Sequence, residues 1–308
     1  MTTDNDDRVA VAFAHEALRE QRLARRWNTV FKAAFLVYLL AILLLSMPNI
    51  VPRSLFSGDE ITALIDVRGV IASDSPASAD NIVTGLRAAF EDASTAGVIV
   101  RINSPGGSPV QSGYINDEIY RLKAEHPDIP VYAVIQDICA SGGYYVAVAA
   151  DEIYADKSSL VGSIGVRMDG FGFVRSLEKL GVERRLLTAG ENKGFLDPFL
   201  PLKQDDVQHV SGLLDDIHEQ FINTVLKGRR DRLVESPELF SGYVWTGEQG
   251  LEIGLVDALG SASYVAREII GAEDIVDFTP RQNVLDLFAR RVGAAISEAV
   301  IGGSLTLR

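Results

Sequence analysis

The sequence predicts an α/β protein with mostly parallel strand pairing, and three observations carry that prediction. Short β-branched runs such as Val98–Ile102 and Val131–Ile135 alternate with longer stretches of helical periodicity. Three glycine-rich turns, Ser104–Gly107, Ser141–Gly143 and Gly162–Gly165, each follow a β segment. Hydrophobic residues make up 47% of the 308-residue chain, ample for a sizeable core.

The N-terminus reads differently from the rest. Residues 1–29 form a charged leader, in which Arg8–Arg26 is an Ala-rich helix candidate. Residues 30–51, VFKAAFLVYLLAILLLSMPNIV, are apolar enough for a transmembrane signal anchor. As a helix they would span about 33 Å, close to the hydrocarbon thickness of a bilayer. Arg19, Arg22, Arg25 and Arg26 precede the segment, whereas Asp59 and Glu60 follow it. The positive-inside rule therefore predicts a single pass through the inner (cytoplasmic) membrane, with the N-terminus in the cytoplasm and the bulk of the chain outside it. Ser46-Met47-Pro48 is a poor match to a signal-peptide cleavage site. A buried core helix is the other alternative, but it would leave the segment without a polar face.

Residues 52–60 read as a linker, and residues 61–275 as the main domain. Ile61–Ile71 alternates as a strand, or a strand pair around Gly69. Ala79–Ala96 has Ile82, Leu86, Ala89 and Phe90 at helical spacing. Val98–Ile102 is a short buried strand, followed by the Ser104–Gly107 turn and a helix over Val110–Glu125. Val131–Ile135 is the next strand, and Ser141 stands at the mouth of a helix over Gly142–Ala150. Glu152–Tyr154 and Glu183–Leu187 are further strand candidates. Gln204–Arg230 carries Val207, Val210, Leu214, Ile217, Phe221 and Val225 along one stripe and reads as a long helix. Glu248–Gly254 is a short helix ending on a glycine cap. Residues 276–308 form an amphipathic tail, apolar at Val284, Leu287, Phe288, Val292 and Ile296.

Charge and cysteine content exclude several functions. A net charge of −13 and a pI near 4.8 argue against nucleic-acid binding. The single cysteine, Cys139, permits no internal disulfide, and its apolar surroundings in sequence suit a small core residue. There is no HExxH or CxxC pattern and no dinucleotide motif, so neither a metal nor a cofactor is expected.

The chemistry points to Ser141 and Lys193, in Ala140-Ser141-Gly142-Gly143-Tyr144 and Gly190-Glu191-Asn192-Lys193-Gly194. A serine hydroxyl attacks only when a nearby base takes its proton. A lysine can be that base where burial keeps its amine neutral, and Phe195, Leu196 and Phe199 are apolar neighbours in sequence. At a helix start, Ser141 would have exposed N–H groups and the positive end of the helix dipole beside it. Gly142 N–H is one candidate oxyanion donor, and the Gly106-Gly107 turn leaves backbone open for another. Ser163 could hold the lysine amine. Taken singly, Ser141 reads equally well as a helix N-cap and Lys193 as a solvated surface lysine. His15, His126, His209 and His218 all lie outside the glycine turns, which disfavours a histidine base.

At these residues the chain resembles the signal peptide peptidase A (SppA) family of membrane-anchored serine–lysine peptidases, from about Ile61 to about Gly260. The resemblance rests on Arg101–Ser108 (RINSPGGS), Ala140–Ala147 (ASGGYYVA), Gly162–Val166 (GSIGV), Lys193 with Asp197-Pro198, and Gly247–Asp257 (GEQGLEIGLVD). It implies a ClpP/crotonase-like spiral of ββα units, Ser141 as nucleophile and Lys193 as general base. It further implies that Ser104, Gly106 and Gly107 build part of the oxyanion hole, and that Ser163 partners the lysine. One domain holding both residues looks like the short form of the family. Members form ring- or dome-shaped homo-oligomers and cleave remnant signal peptides and other membrane-derived or misfolded chains. Gly194 departs from the family pattern, in which many relatives carry an acidic residue after the lysine. The reading is a serine endopeptidase; the alternatives are a catalytically silent membrane scaffold of the same fold or a crotonase-like acyl-CoA enzyme.

Overall fold

The computed structural model describes residues 25–39 and 60–280, apart from Glu235. Residues 25–39 are one helix, α1, with its side chains exposed. It covers the first part of the apolar segment at 30–51; residues 40–51 lie outside the described residues, as do most of the leader and linker and all of the tail from residue 281. No described helix is long and apolar enough to cross a membrane.

Residues 60–280 build a mixed α/β unit around one sheet. Its main path runs β6 (Val244–Thr246), β5 (Leu160–Gly162), β3 (Val131–Ala140), β2 (Thr95–Ser104), β1 (Ile61–Arg68) and β8 (Ile275–Asp277). β4 (Glu152–Ala155) pairs with β3, and β7 (Ala258–Leu259) with β4. All pairs are parallel except β5 with β6. Side chains alternate strictly between the two faces, the period-2 geometry of a strand. Ala63, Ile65, Val98, Val100, Val131 and Ala133 face the larger core, beneath α2 (Ala79–Glu91), α3 (Pro109–Glu125) and α4 (Gly142–Ala147). Leu64, Ile99, Val134 and Tyr154 face a smaller core, closed by Val265 and Ala266 of a π-helical turn.

β3 positions the site because it has two partners on one side. Its first half, Tyr132–Ile135, pairs with β4; its last three residues, Ile138–Ala140, pair with β5. The strand thus runs five residues beyond the β-branched stretch Val131–Ile135 that marks it in sequence. Ala140 comes to lie beside Gly162 in this register.

Other boundaries shift for local reasons. α2 stops at Glu91, short of Ala96, because the Asp92 carboxylate takes the Ser94 N–H and hydroxyl and Thr95 Oγ1 donates to the Ala89 carbonyl. α7 (Gly247–Glu252) begins where Thr246 and Gln249 close a reciprocal capping box. Glu183–Leu187 is not a strand: it is exposed and has no neighbouring strand to pair with among the described residues. It belongs to an arm spanning 166–203, whose only helix is α5 (Val174–Leu180). α6 (Gln204–Arg229) follows the arm, as its apolar stripe predicts.

Candidate active site

Ser141 ends β3 and heads α4 with φ 51° and ψ −122°. An L-residue rarely holds a positive φ without surroundings that enforce it. Here the Ser141 N–H donates to the Gly162 carbonyl at 2.8 Å, while its own carbonyl accepts from Tyr145 N–H at 3.0 Å. The backbone is thus clamped from both sides. Although Ser141 stands at the N-cap position, its side chain makes no capping bond. Ser141 is partly exposed between buried neighbours, as a nucleophile must be and a simple cap need not be.

The Gly106-Gly107 turn packs directly on this elbow. A Cβ on Gly106, whose φ is 95°, would stand 2.6 Å from Gly142 N and 2.8 Å from Ser141 Cβ. Only glycine fits that approach. Gly107 bridges to Ile71 through its flanking groups: Ile71 N–H donates to Gly106 O at 2.9 Å and Ser108 N–H to Ile71 O at 2.8 Å. The Gly107 N–H lies outside that bridge. Gly142 N–H is at a helix start, where no intrahelical acceptor exists. The Gly107 and Gly142 amides lie close together at the Ser141 elbow, and a pair of amides is the donor set that a tetrahedral oxyanion requires. Ser104 braces the turn from below: buried, it donates to Gly69 O at 2.6 Å and accepts from Gly106 N–H at 3.1 Å.

Ser163 joins the site through the β3–β5 register. It follows Gly162 as Ser141 follows Ala140, and it too has a positive φ, 52°. Its N–H donates to Tyr243 O at 2.7 Å, and Trp245 packs so closely on Gly162 that a Cβ there would stand 2.7 Å from the indole. Tyr243 and Trp245 carry no sequence signal as site residues; Tyr243 immediately precedes β6, and that strand, which holds Trp245, is only three residues long, too short for a periodic signal. Four described non-glycine residues have positive φ, and Ser141 and Ser163 are two of them. That coincidence singles out this corner of the fold.

Lys193 is not buried in the chain's own structure. It is exposed on the arm, in a turn where its N–H donates to Gly190 O at 3.2 Å. No hydrogen bond joins it to Ser141 or Ser163 among the described residues. The apolar screen expected from Phe195 and Phe199 is incomplete, since these rings are 42% and 38% exposed. They pack within the arm and against α6 instead. Phe199 stacks on Phe173 at 5.5 Å, Arg184 lies over Phe199 and pairs with Asp197 at 3.0 Å, and Phe195 meets His209 edge-on. The hydrogen bond from Phe199 N–H, helped by Arg184, holds the Asp197 carboxyl below its usual range.

The rival nucleophile is buried, and one rival base, His218, is engaged with the backbone. Cys139 is fully buried, and burial pushes its thiol well up, away from the reactive thiolate. His218 Nε2 is 3.2 Å from Ile164 O, tying α6 to the segment after Ser163. No cluster of metal-ligating side chains occurs among the described residues.

The model of peptidase family S49 matches residues 123–274. A putative protease of Synechocystis is 36% identical over 65% of this chain and 69% of its own length. The chain belongs to peptidase family S49. A putative signal peptide peptidase SppA of Enterococcus faecium is 32% identical over 64% of this chain and 59% of its own. A protein of Brucella melitensis biotype 1 named Na(+)/H(+) antiporter NhaA is 47% identical over 60% of this chain. The match spans only 25% of that longer protein, so its name describes a chain mostly beyond the shared region.

Proposed function

We propose that this protein is a serine endopeptidase that forms an acyl-enzyme at Ser141, with Lys193 as general base. The observation that carries the reading is the clamped, positive-φ Ser141 with the amides of Gly107 and Gly142 beside it. In the reaction, Lys193 takes the hydroxyl proton as Ser141 Oγ attacks the scissile carbonyl. The two amides receive the oxyanion, and the protonated lysine then gives its proton to the leaving amine. Water, deprotonated by the same amine, releases the acyl group.

The exposure of Lys193 bears on assembly. The arm that carries it leaves Phe171 81% and Leu187 96% exposed. Such a cluster of large apolar side chains marks an interaction surface. The reading therefore includes a ring-shaped homo-oligomer, whose contacts cover the arm, strip water from the lysine amine and bring it to a serine. The ClpP/crotonase-like spiral of ββα units fits the parallel sheet and its stacked helices. A membrane anchor at 30–51, with the catalytic domain outside the cytoplasm, fits the charge pattern of the leader. Substrates would be remnant signal peptides and other membrane-derived or misfolded chains.

The test uses the full chain in detergent micelles with an apolar fluorogenic peptide, comparing the parent with Ser141→Ala and Lys193→Ala from neutral to alkaline pH. Loss of turnover in both variants, with a single base-side ionisation in the parent, supports the dyad. A folded, oligomeric parent inert to peptides and to serine-directed probes points to the silent scaffold, the reading that an unbonded Lys193 favours. If Lys193→Ala keeps activity that Ser141→Ala loses, another group is the base.

A further inference from the structure

α3 starts two residues after the Gly106-Gly107 turn and runs alongside α4. Its face towards α4 carries two buried polar residues one turn apart, Ser112 and Asn116. The Asn116 side chain is accounted for, because Nδ2 donates to the Tyr145 carbonyl at 2.8 Å, near the C-terminal end of α4. The Ser112 side chain has no such bond. It is fully buried, and its Oγ has no hydrogen-bond partner among the described residues. A buried hydroxyl without a partner is costly, and alanine would fill the same helix position without that cost.

What Ser112 touches is the candidate oxyanion site. A Cβ on Gly142 would overlap Ser112 Oγ, and the same point lies 3.2 Å from Gly107 N and 3.5 Å from Gly106 Cα. The hydroxyl oxygen is thus wedged against the Gly142 backbone where the glycine turn closes on it. Ser112 cannot drift, because its N–H is bonded to Ser108 O at 3.1 Å in the first turn of α3 and Asn116 pins the next turn to α4. We propose that Ser112 is a positioning residue of the oxyanion site: its γ oxygen sets the spacing between the Gly107 and Gly142 amides. Its catalytic consequence rests on the serine-peptidase reading; its structural consequence does not.

The test compares parent, Ser112→Ala and Ser112→Cys in the full chain in micelles. The alanine variant should melt at or above the parent temperature, since it loses only an unpaired hydroxyl. Its kcat should fall roughly tenfold at unchanged KM, short of the effect of deleting an oxyanion donor. Affinity for a peptide boronate should fall in parallel with kcat/KM, and the cysteine variant, which keeps an atom at γ, should recover most of both. In glycine-selective 15N spectra the amide signals of Gly107 and Gly142 should move in the alanine variant. Parent-like kcat and boronate affinity in Ser112→Ala overturn the proposal, as does a kcat loss that merely follows a loss of folded protein. If the parent neither cleaves peptides nor binds the boronate, the peptidase reading fails, and the glycine amides alone decide: unmoved signals sink the positioning role, shifted ones uphold it.

Discussion

Ser141 and Gly162 are joined by one backbone hydrogen bond of 2.8 Å, and that bond sets the two positive-φ serines of the site side by side. It is the continuation, past the last register pair Ala140–Gly162, of the β3–β5 ladder. The backbone geometry of Ser141 is therefore a property of strand register, because a slip of one residue would turn every side chain to the other face.

Gly106 packs tightly against Gly142 in the site. Gly106→Ala puts a Cβ 2.6 Å from Gly142 N at a φ of 95°. The turn must retreat from the elbow, and a donor is displaced. Labelling of Ser141 by a fluorophosphonate should slow at least about a hundredfold. The fold should survive with a loss of about 1–2 kcal/mol, since the strain is local. A parent-like labelling rate would remove the turn from the oxyanion site.

Much of this was legible in the sequence, for physical reasons that differ by element. β2 and the first half of β3 are largely buried on both faces and read as β-branched runs, whereas β1 reads as a strand by its alternation. β5, β6 and β8 have three residues each, too few for any period to register. The glycine turns announced themselves because a close backbone approach admits no other residue. Lys193 is the instructive shortfall. Phe195 and Phe199 are near it in sequence, but stacking with Phe173 and the cation of Arg184 draw Phe199 into the arm's own cluster. Ser112 carried no signal, since a serine in a helix reads as solvent-facing until the structure shows it buried.

Arg229 should be indispensable for folding. Its side chain is 1% exposed, and it donates to Gly254 O through Nε at 2.9 Å and to the Asp257 carboxylate through Nη1 at 2.7 Å and Nη2 at 2.9 Å. The same carboxylate accepts the Ile153 N–H at 2.7 Å, so one ion pair ties the end of α6 to β4. Removing Asp257 leaves the buried Arg229 cation without a carboxylate, at about 3–5 kcal/mol, and removing Arg229 leaves Asp257 only its longer pairing with Arg232, at 3.3 Å. Urea titration should show Arg229→Ala and Asp257→Ala destabilised by such amounts, and the double variant losing clearly less than their sum.

Glu118 should make stability pH-dependent in one direction. Hydrogen bonds from Arg121 and then Arg87 outweigh its burial and lower its pKa from 4.5 to about 2. A depressed carboxyl stabilises the fold above its ordinary pKa, and that stabilisation is lost as pH falls from 4.5 towards about 2. Both arginines are substantially exposed, so screening keeps the contribution to about 1–2 kcal/mol. Glu118→Gln should be less stable than the parent at neutral pH, with the gap closing on acidification through that window. A gap that is constant with pH would assign the loss to packing alone.

The arm offers the cleanest test of assembly. Leu187 and Phe171 are almost bare in the single chain, at 96% and 81% exposure. Substituting such residues in a monomer changes stability by no more than about 0.5 kcal/mol. If copies pack through the arm, each carboxylate introduced by Leu187→Glu and Phe171→Glu must be desolvated against apolar surface, and association weakens steeply. Mass photometry of the double variant in micelles should show smaller particles than the parent, while melting of the residual protomer is little changed. Turnover should fall with assembly, because Lys193 rides on the same arm. A variant that keeps both its parent mass and its turnover would place the subunit contacts elsewhere and leave the arm with a different role.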